Sequence, residues 1–201
     1  RGISFSVQDG EIVGIVGESG SGKTMTALTI AGLFKEHAVL DAGTIRLDGT
    51  DLLKLTEREM RQVQGNRIGM IFQEPMTALN PTMKIGRQVE EVLRLHTDLD
   101  SRARKAAVIR ALEEVELDEA EKLLFKYPHE LSGGMRQRVM IAAAMICRPS
   151  LLIADEPTTA LDAATQESIL KLLKKLNDKY GMSILFISHN LRVVKELCTR
   201  V

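Results

Sequence analysis

The chain has 201 residues, 44% of them hydrophobic, enough for one compact unit with a buried core and too apolar for a disordered chain. Its 27 basic and 27 acidic residues balance, so no net field recruits nucleic acid or an anionic surface. Cys147 and Cys198 lie far apart, outside any metal-ligand spacing, and read as reduced thiols of a cytoplasmic protein; no apolar run approaches the roughly 18 residues of a membrane span.

In chain order, residues 4–7 and 11–16 read as strands joined by the turn Gln8-Asp9-Gly10, a hairpin pattern. The first residues carry no signal-peptide pattern and resemble a strand already in progress. The last, Thr199-Arg200-Val201, carry no terminating signal, so the expectation is a piece of a longer protein. Residues 44–47 form a further strand ended by Asp48-Gly49, and residues 68–72 a continuous apolar strand buried on both faces. Residues 83–127 are helical in pattern, with Val89, Val92 and Leu93 on one face and Ala107, Ala111, Leu112 and Val115 on another; Asp100-Ser101 caps the second of these helices. The apolar run 139–147 is a buried helix. Residues 151–154 and 184–187 return to buried strands around a helix that lines up Ile169, Leu172, Leu173 and Leu176 and closes at Gly181. The fold class is α/β: a parallel-sheet P-loop core with an N-terminal antiparallel β portion and an inserted helical subdomain. The expected boundaries are 1–73 for the first part of the core, 74–148 for the insert and 149–201 for the rest.

Three stretches carry chemistry. Gly17-Glu18-Ser19-Gly20-Ser21-Gly22-Lys23-Thr24 sits between an apolar strand and a helix-forming run, the context of a phosphate-binding P-loop. Glycines let backbone N–H groups converge on a phosphate, and the helix opening at Gly22 adds its unpaired donors and positive dipole end. Lys23 reaches the β- and γ-phosphates, and the Thr24 hydroxyl ligates Mg²⁺. Leu152-Ile153-Ala154-Asp155-Glu156 delivers two carboxylates at the end of a strand, the edge at which open α/β sheets bind ligands. Asp155 suits a hard cation, and Glu156 can polarise the water that attacks a γ-phosphate. In Leu131-Ser132-Gly133-Gly134-Met135, Ser132 caps a helix and two glycines leave its first N–H groups uncovered, a second anion site without a lysine.

The order of the P-loop, Gln73, Leu131-Ser132-Gly133-Gly134, Asp155-Glu156, Ala160-Leu161-Asp162 and His189 resembles that of an ABC transporter ATPase subunit, over essentially the whole chain. The resemblance implies ATP and Mg²⁺ as ligands and a head-to-tail dimer. The Leu131–Met135 stretch would be the signature that touches ATP held by a second ATPase subunit, identical or different. It further implies that Gln73 joins Thr24 and Asp155 at Mg²⁺ and senses the transmembrane partner, that Asp162 belongs to the D-loop, and that His189 is the switch histidine at the γ-phosphate. The family's adenine-stacking aromatic has no match here, and Phe5 lies on the wrong strand for it. The strands that follow the switch histidine are likewise absent.

Phe72-Gln73-Glu74-Pro75-Met76-Thr77-Ala78-Leu79-Asn80-Pro81 and Tyr127-Pro128-His129-Glu130 before the signature resemble oligopeptide and dipeptide importers; nickel and glutathione importers share much of this pattern. By that resemblance the partners are permease subunits and, indirectly, an extracytoplasmic solute-binding protein, with no nucleic acid, and the protein sits peripherally on the cytoplasmic face of the membrane. The soluble ABC ATPases carry long coiled-coil or zinc-bearing inserts that this chain lacks. Met76 and Leu79 are expected to line an exposed groove for a short permease helix, with Met83 divided between that groove and the core.

Overall fold

The computed structural model describes residues 2–18, 20–33, 42–159 and 161–201. In chain order the elements are β1 (Ile12–Val16), α1 (Lys23–Ile30), β2 (Arg46–Leu47), β3 (Thr50–Asp51), α2 (Glu57–Val63), β4 (Ile68–Ile71), α3 (Pro75–Ala78), α4 (Ile85–His96) and α5 (Ser101–Glu114). There follow α6 (Ala120–Leu123), α7 (Gly133–Met145), β5 (Leu151–Asp155), α8 (Ala163–Tyr180), β6 (Ser183–Ser188) and α9 (Leu191–Leu197).

Strands β1, β4, β5 and β6 are apolar throughout their middles because helices cover both of their faces. They form one parallel sheet in the order β1-β6-β5-β4. Alternation divides their side chains between two cores. Leu152, Ala154, Ile184 and Phe186 face a core shared with α4, α5, α7, α8 and α9. Ile153, Leu185 and Ile187 face a second core with Ala27 and Ile30 of α1 and Met60 and Val63 of α2. All four strands run the same way, so the residues that follow them share one edge of the sheet.

The insert consists of α3 to α7. Helix α4 buries Ile85, Val89 and Leu93 at four-residue spacing, and Asp100 Oδ1 caps α5 by accepting from the Ala103 N–H at 2.7 Å. Helix α7 joins the insert to the core at close range. A Cβ on Gly69 of β4 would lie 2.2 Å from the Ala144 carbonyl oxygen, so only glycine permits that backbone approach.

Two expectations are corrected. Residues 4–7 form no strand with β1. Gln8-Asp9-Gly10 turns as expected, but Gly10 N–H donates to Ser183 Oγ (3.1 Å) and Ser183 Oγ donates to the Gln8 carbonyl (3.0 Å), so the turn docks on the start of β6. β1 pairs with β6 on one side, and its other edge receives Arg200, whose carbonyl accepts from Gly14 N–H at 2.7 Å. The antiparallel portion among the described residues is instead the β2–β3 pair, turned at Asp48-Gly49. Leu79 is also no groove residue: it is 5% exposed and belongs to the main core, whereas Met76 is 53% exposed and Met83 half-buried. One helical turn starting at Pro75 explains the difference, because α3 lies on α7 and swings Leu79 inward as the turn ends.

Candidate functional site

The loop after β1 leads into α1 through Gly20 (φ 80) and Gly22 (φ 94), left-handed conformations that glycine adopts without strain. Gly22 is the N-cap of α1, no side chain caps it, and no acid lies in the first turn, so the first N–H groups of the helix stay open to an anion. Lys23 is buried, and its Nζ donates to the carbonyls of Gly17 and Glu18, each at 2.8 Å. Two of its three protons are thereby spent on holding the loop, and one remains for a phosphate oxygen. Gly17, Glu18, Ser21 and Thr24 stand as the sequence places them; Ser19 lies outside the described residues.

The strand edge brings the acids to this loop. Asp155 ends β5 at 2% exposure, and its Oδ1 has no hydrogen-bond partner among the described residues. Burial raises its pKa above the usual carboxylate range; the Thr24 hydroxyl and, more weakly, Lys23 pull it down, while Glu156 pushes it up. A buried carboxylate oxygen without a donor, beside a threonine hydroxyl, fits a hard divalent cation.

Glu156 follows with φ 46, left-handed backbone in a non-glycine residue directly before Pro157, where helical conformations are already disfavoured. Such strain costs about 1–3 kcal/mol and persists where surrounding bonds impose it. Here the Glu156 N–H donates to the Ile187 carbonyl of β6 at 2.9 Å. Its carboxylate Oε2 collects three neighbours: Thr159 Oγ1 donates at 2.9 Å, Gln73 Nε2 at 3.4 Å, and His189 Nδ1 lies at 3.0 Å. Oε1 is left for a further donor such as water. His189 is set by the turn between β6 and α9, where Asn190 N–H donates to Ser188 Oγ and the Asn190 side chain caps α9. Gly17, Lys23, Thr24, Gln73, Glu156, Thr159 and His189 border one cleft of about 830 Å³, a size suited to a nucleotide-scale ligand. Thr159 is the functional neighbour that sequence reasoning missed; its only signal was its place three residues after Glu156.

The signature stretch lies apart, and none of its residues borders that cleft. Ser132 Oγ caps α7 by accepting from the Met135 N–H at 3.3 Å, and the Leu131 side chain is buried. Arg136 Nη1 donates to the Leu131 carbonyl at 2.6 Å and fixes the backbone there. Gly133 faces Leu161 and Gly134 packs against the start of α8, where a Cβ on Gly134 would come 2.9 Å from Thr165 Cγ2. Asp162 caps α8, accepting from Thr165 N–H (3.0 Å) and Thr165 Oγ1 (2.6 Å), so it has a structural task whatever else it does. Ala160 lies outside the described residues. Among the described residues no helix is long and apolar enough to cross a membrane.

Known proteins resemble this chain in sequence and in fold. The chain is 48% identical, over its whole length and 61% of the relative's, to the oligopeptide transport ATP-binding protein AppD of Bacillus subtilis. It is 50% identical, over its whole length and 33% of the relative's, to the glutathione import ATP-binding protein GsiA of Pectobacterium atrosepticum. The first curated relatives it matches are longer, and the chain spans about 60% of their length. Among solved structures, the ATP-binding cassette MJ0796, a dimer in a post-hydrolysis state bound to ADP and Pi, superimposes with a TM-score of 0.82 at 32% identity, over 94% of this chain and 79% of that one. With residues 1–159 matching the ABC transporter family and the cassette fold in agreement, the chain belongs to that family.

Proposed function

We infer that the protein is the ATP-hydrolysing subunit of an importer of peptides. The observation that carries the reading is the convergence of Lys23, Thr24, Gln73, Glu156 and His189 on one cleft, with Asp155 buried behind Thr24, while the signature helix opens elsewhere on the surface. In the reaction ATP + H₂O → ADP + phosphate, the loop N–H groups and Lys23 bind the phosphates. Mg²⁺ would be held by Thr24, Asp155 and Gln73 and would neutralise charge on the phosphate oxygens. Glu156 takes the proton of the attacking water, with Thr159 and His189 fixing its carboxylate. His189, with Nδ1 turned to Glu156, offers Nε2 to the γ-phosphate. Residues 131–135 complete the site of a second subunit in a head-to-tail dimer, so neither chain hydrolyses ATP well alone. The domain division is 1–73 and 149–201 for the nucleotide-binding core and 74–148 for the helical subdomain.

The dimer docks peripherally on permease subunits at the cytoplasmic face of the membrane, and an extracytoplasmic binding protein delivers the cargo. Exposed Met76 beside Gln73 is the apolar anchor on this surface. The name of AppD favours oligopeptides, and that of GsiA supports glutathione, itself a small peptide, as a second reading. The test is to isolate the full-length protein from membranes with its permease, reconstitute it with its binding protein, and measure ATP hydrolysis against peptides, glutathione and nickel. Stimulation by short peptides supports the reading. Stimulation by nickel alone, or recovery with no membrane partner, overturns it.

A further inference from the structure

The end of α5 is fastened to both neighbouring helices by charged groups that lie outside the nucleotide cleft. Arg138, one turn beyond the signature on α7, donates from Nη1 to the Val115 carbonyl at 2.5 Å and to Glu116 Oε2 at 3.1 Å. Its Nη2 donates to Ser168 Oγ of α8 at 2.8 Å, and its side chain is only 15% exposed. Lys175, two turns further along α8, reaches Glu116 Oε1 at 2.8 Å. Glu116 is held at φ 60, a left-handed residue just past the C-terminus of α5, so its carboxylate is aimed by the backbone. Lys175 first and Arg138 second hold that carboxyl below its ordinary range.

The clasp sits where it can set the direction of the signature helix. Gly134 lies against Thr165, and Arg138 bonds to Ser168, so α7 and α8 run side by side in the same direction. From Arg138 to Ser132 is six residues, about 9 Å of helix. A tilt of about 10° at the clasp moves the Ser132 end by about 1.5 Å, more than a hydrogen bond to a phosphate tolerates. Val115 and Glu116 belong to the insert and Ser168 and Lys175 to the core, so the network ties the two parts across α7.

We propose that Glu116, Arg138, Ser168 and Lys175 are positioning residues: they fix the angle at which the signature helix presents Ser132–Gly134 to nucleotide on a second subunit. This rests on the reading that the signature completes the partner's site. Removing the clasp spreads the signature over more orientations, of which only a fraction fit the partner, and apparent affinity falls by that fraction.

The test uses the full-length protein carrying Glu156→Gln, so that ATP binds without rapid turnover, and measures two quantities: ATP affinity at low protein concentration and ATP-driven self-association by sedimentation. Into that background go Ser168→Ala/Lys175→Met, which removes the core's two hooks while keeping good helix formers on α8, and separately Lys175→Arg. The expected result is unchanged ATP affinity, with association weakened roughly three- to tenfold in the double variant and retained in Lys175→Arg. Association within twofold of the parent, or strengthened, or lost equally in Lys175→Arg, overturns the proposal. Failure of the Glu156→Gln parent to associate with ATP overturns the signature reading instead, and the positioning role with it.

Discussion

Asp155→Asn is predicted to stabilise the protein without nucleotide and to abolish its response to Mg-ATP. The wild-type carboxylate is 2% exposed, one oxygen lacks a donor, and burial raises its pKa. A carboxyl with a raised native pKa binds more protons folded than unfolded between its ordinary and its raised value. Stability therefore falls as pH rises through that interval, and the deficit is constant above it. Asparagine removes the charge and keeps the shape. Its oxygen can accept from Thr24, and its amide is left where the unpartnered carboxylate oxygen was, a smaller burden than a buried charge. The gain is about 0.5–2 kcal/mol. For a domain of this size that is roughly 2–4 °C of Tm per kcal/mol. The assay is thermal melting of the full-length protein and the variant across pH 4–8 with EDTA, then with Mg-ATP. The difference should open as pH rises from the ordinary carboxylate range and level off above the raised value. Mg-ATP at 100 Kd should add about 2.7 kcal/mol to the wild type only. A variant less stable than wild type at pH 8 in EDTA would show that Asp155 is a satisfied structural acid, and the metal assignment would fail with it.

Lys23→Ala should largely abolish ATP binding in equilibrium titrations, through both the lost phosphate contact and the loosened loop, with the overall fold retained; an unchanged Kd contradicts the P-loop reading. Glu156→Gln should keep ATP affinity while turnover falls by roughly 10²–10⁴, and a fall of only a few-fold would place the base elsewhere. Met76→Asp should leave ATP binding intact and release the protein from membranes, as a pull-down of the permease would register. Leu79→Asp places a charge in the core and should destabilise by about 3–5 kcal/mol in denaturant titrations, with a midpoint near wild type showing that Leu79 is not core. The Cys198 thiol, pushed up to about 11 by burial, should alkylate at pH 8 roughly two orders of magnitude more slowly than a free thiol, and rapid labelling would mean that α9 is loosely held.

The parallel strands and the P-loop were legible because their determinants are local: unbroken apolar runs, glycines at fixed spacing, and caps such as Asp100 and Gly181. The acid pair was legible because strand ends are. What the sequence could not show depends on contacts between distant residues. Gln73 meets Glu156 across 83 residues, and His189 joins it across 33 because β5 and β6 are neighbours in the sheet; Thr159, only three residues on, belongs to no motif that would single it out. Residues 4–7 read as a strand from composition, yet pairing is decided by which edges are free, and β1 gives its edges to β6 and Arg200. Leu79 and Met76 look alike in the sequence; one turn of helix sends the first inward and leaves the second in solvent. The clasp at Glu116 has no motif at all, since its members come from α7, α8 and the turn after α5.

In the proposed dimer the signature of one chain serves the nucleotide of another. Ser132→Arg in the Glu156→Gln background separates the alternatives in one sedimentation experiment with a parallel ATP titration. The predicted result is a parent that dimerises with ATP, and a variant that binds ATP with the same affinity yet stays monomeric. A variant that dimerises normally, or that loses ATP binding as a monomer, would contradict it.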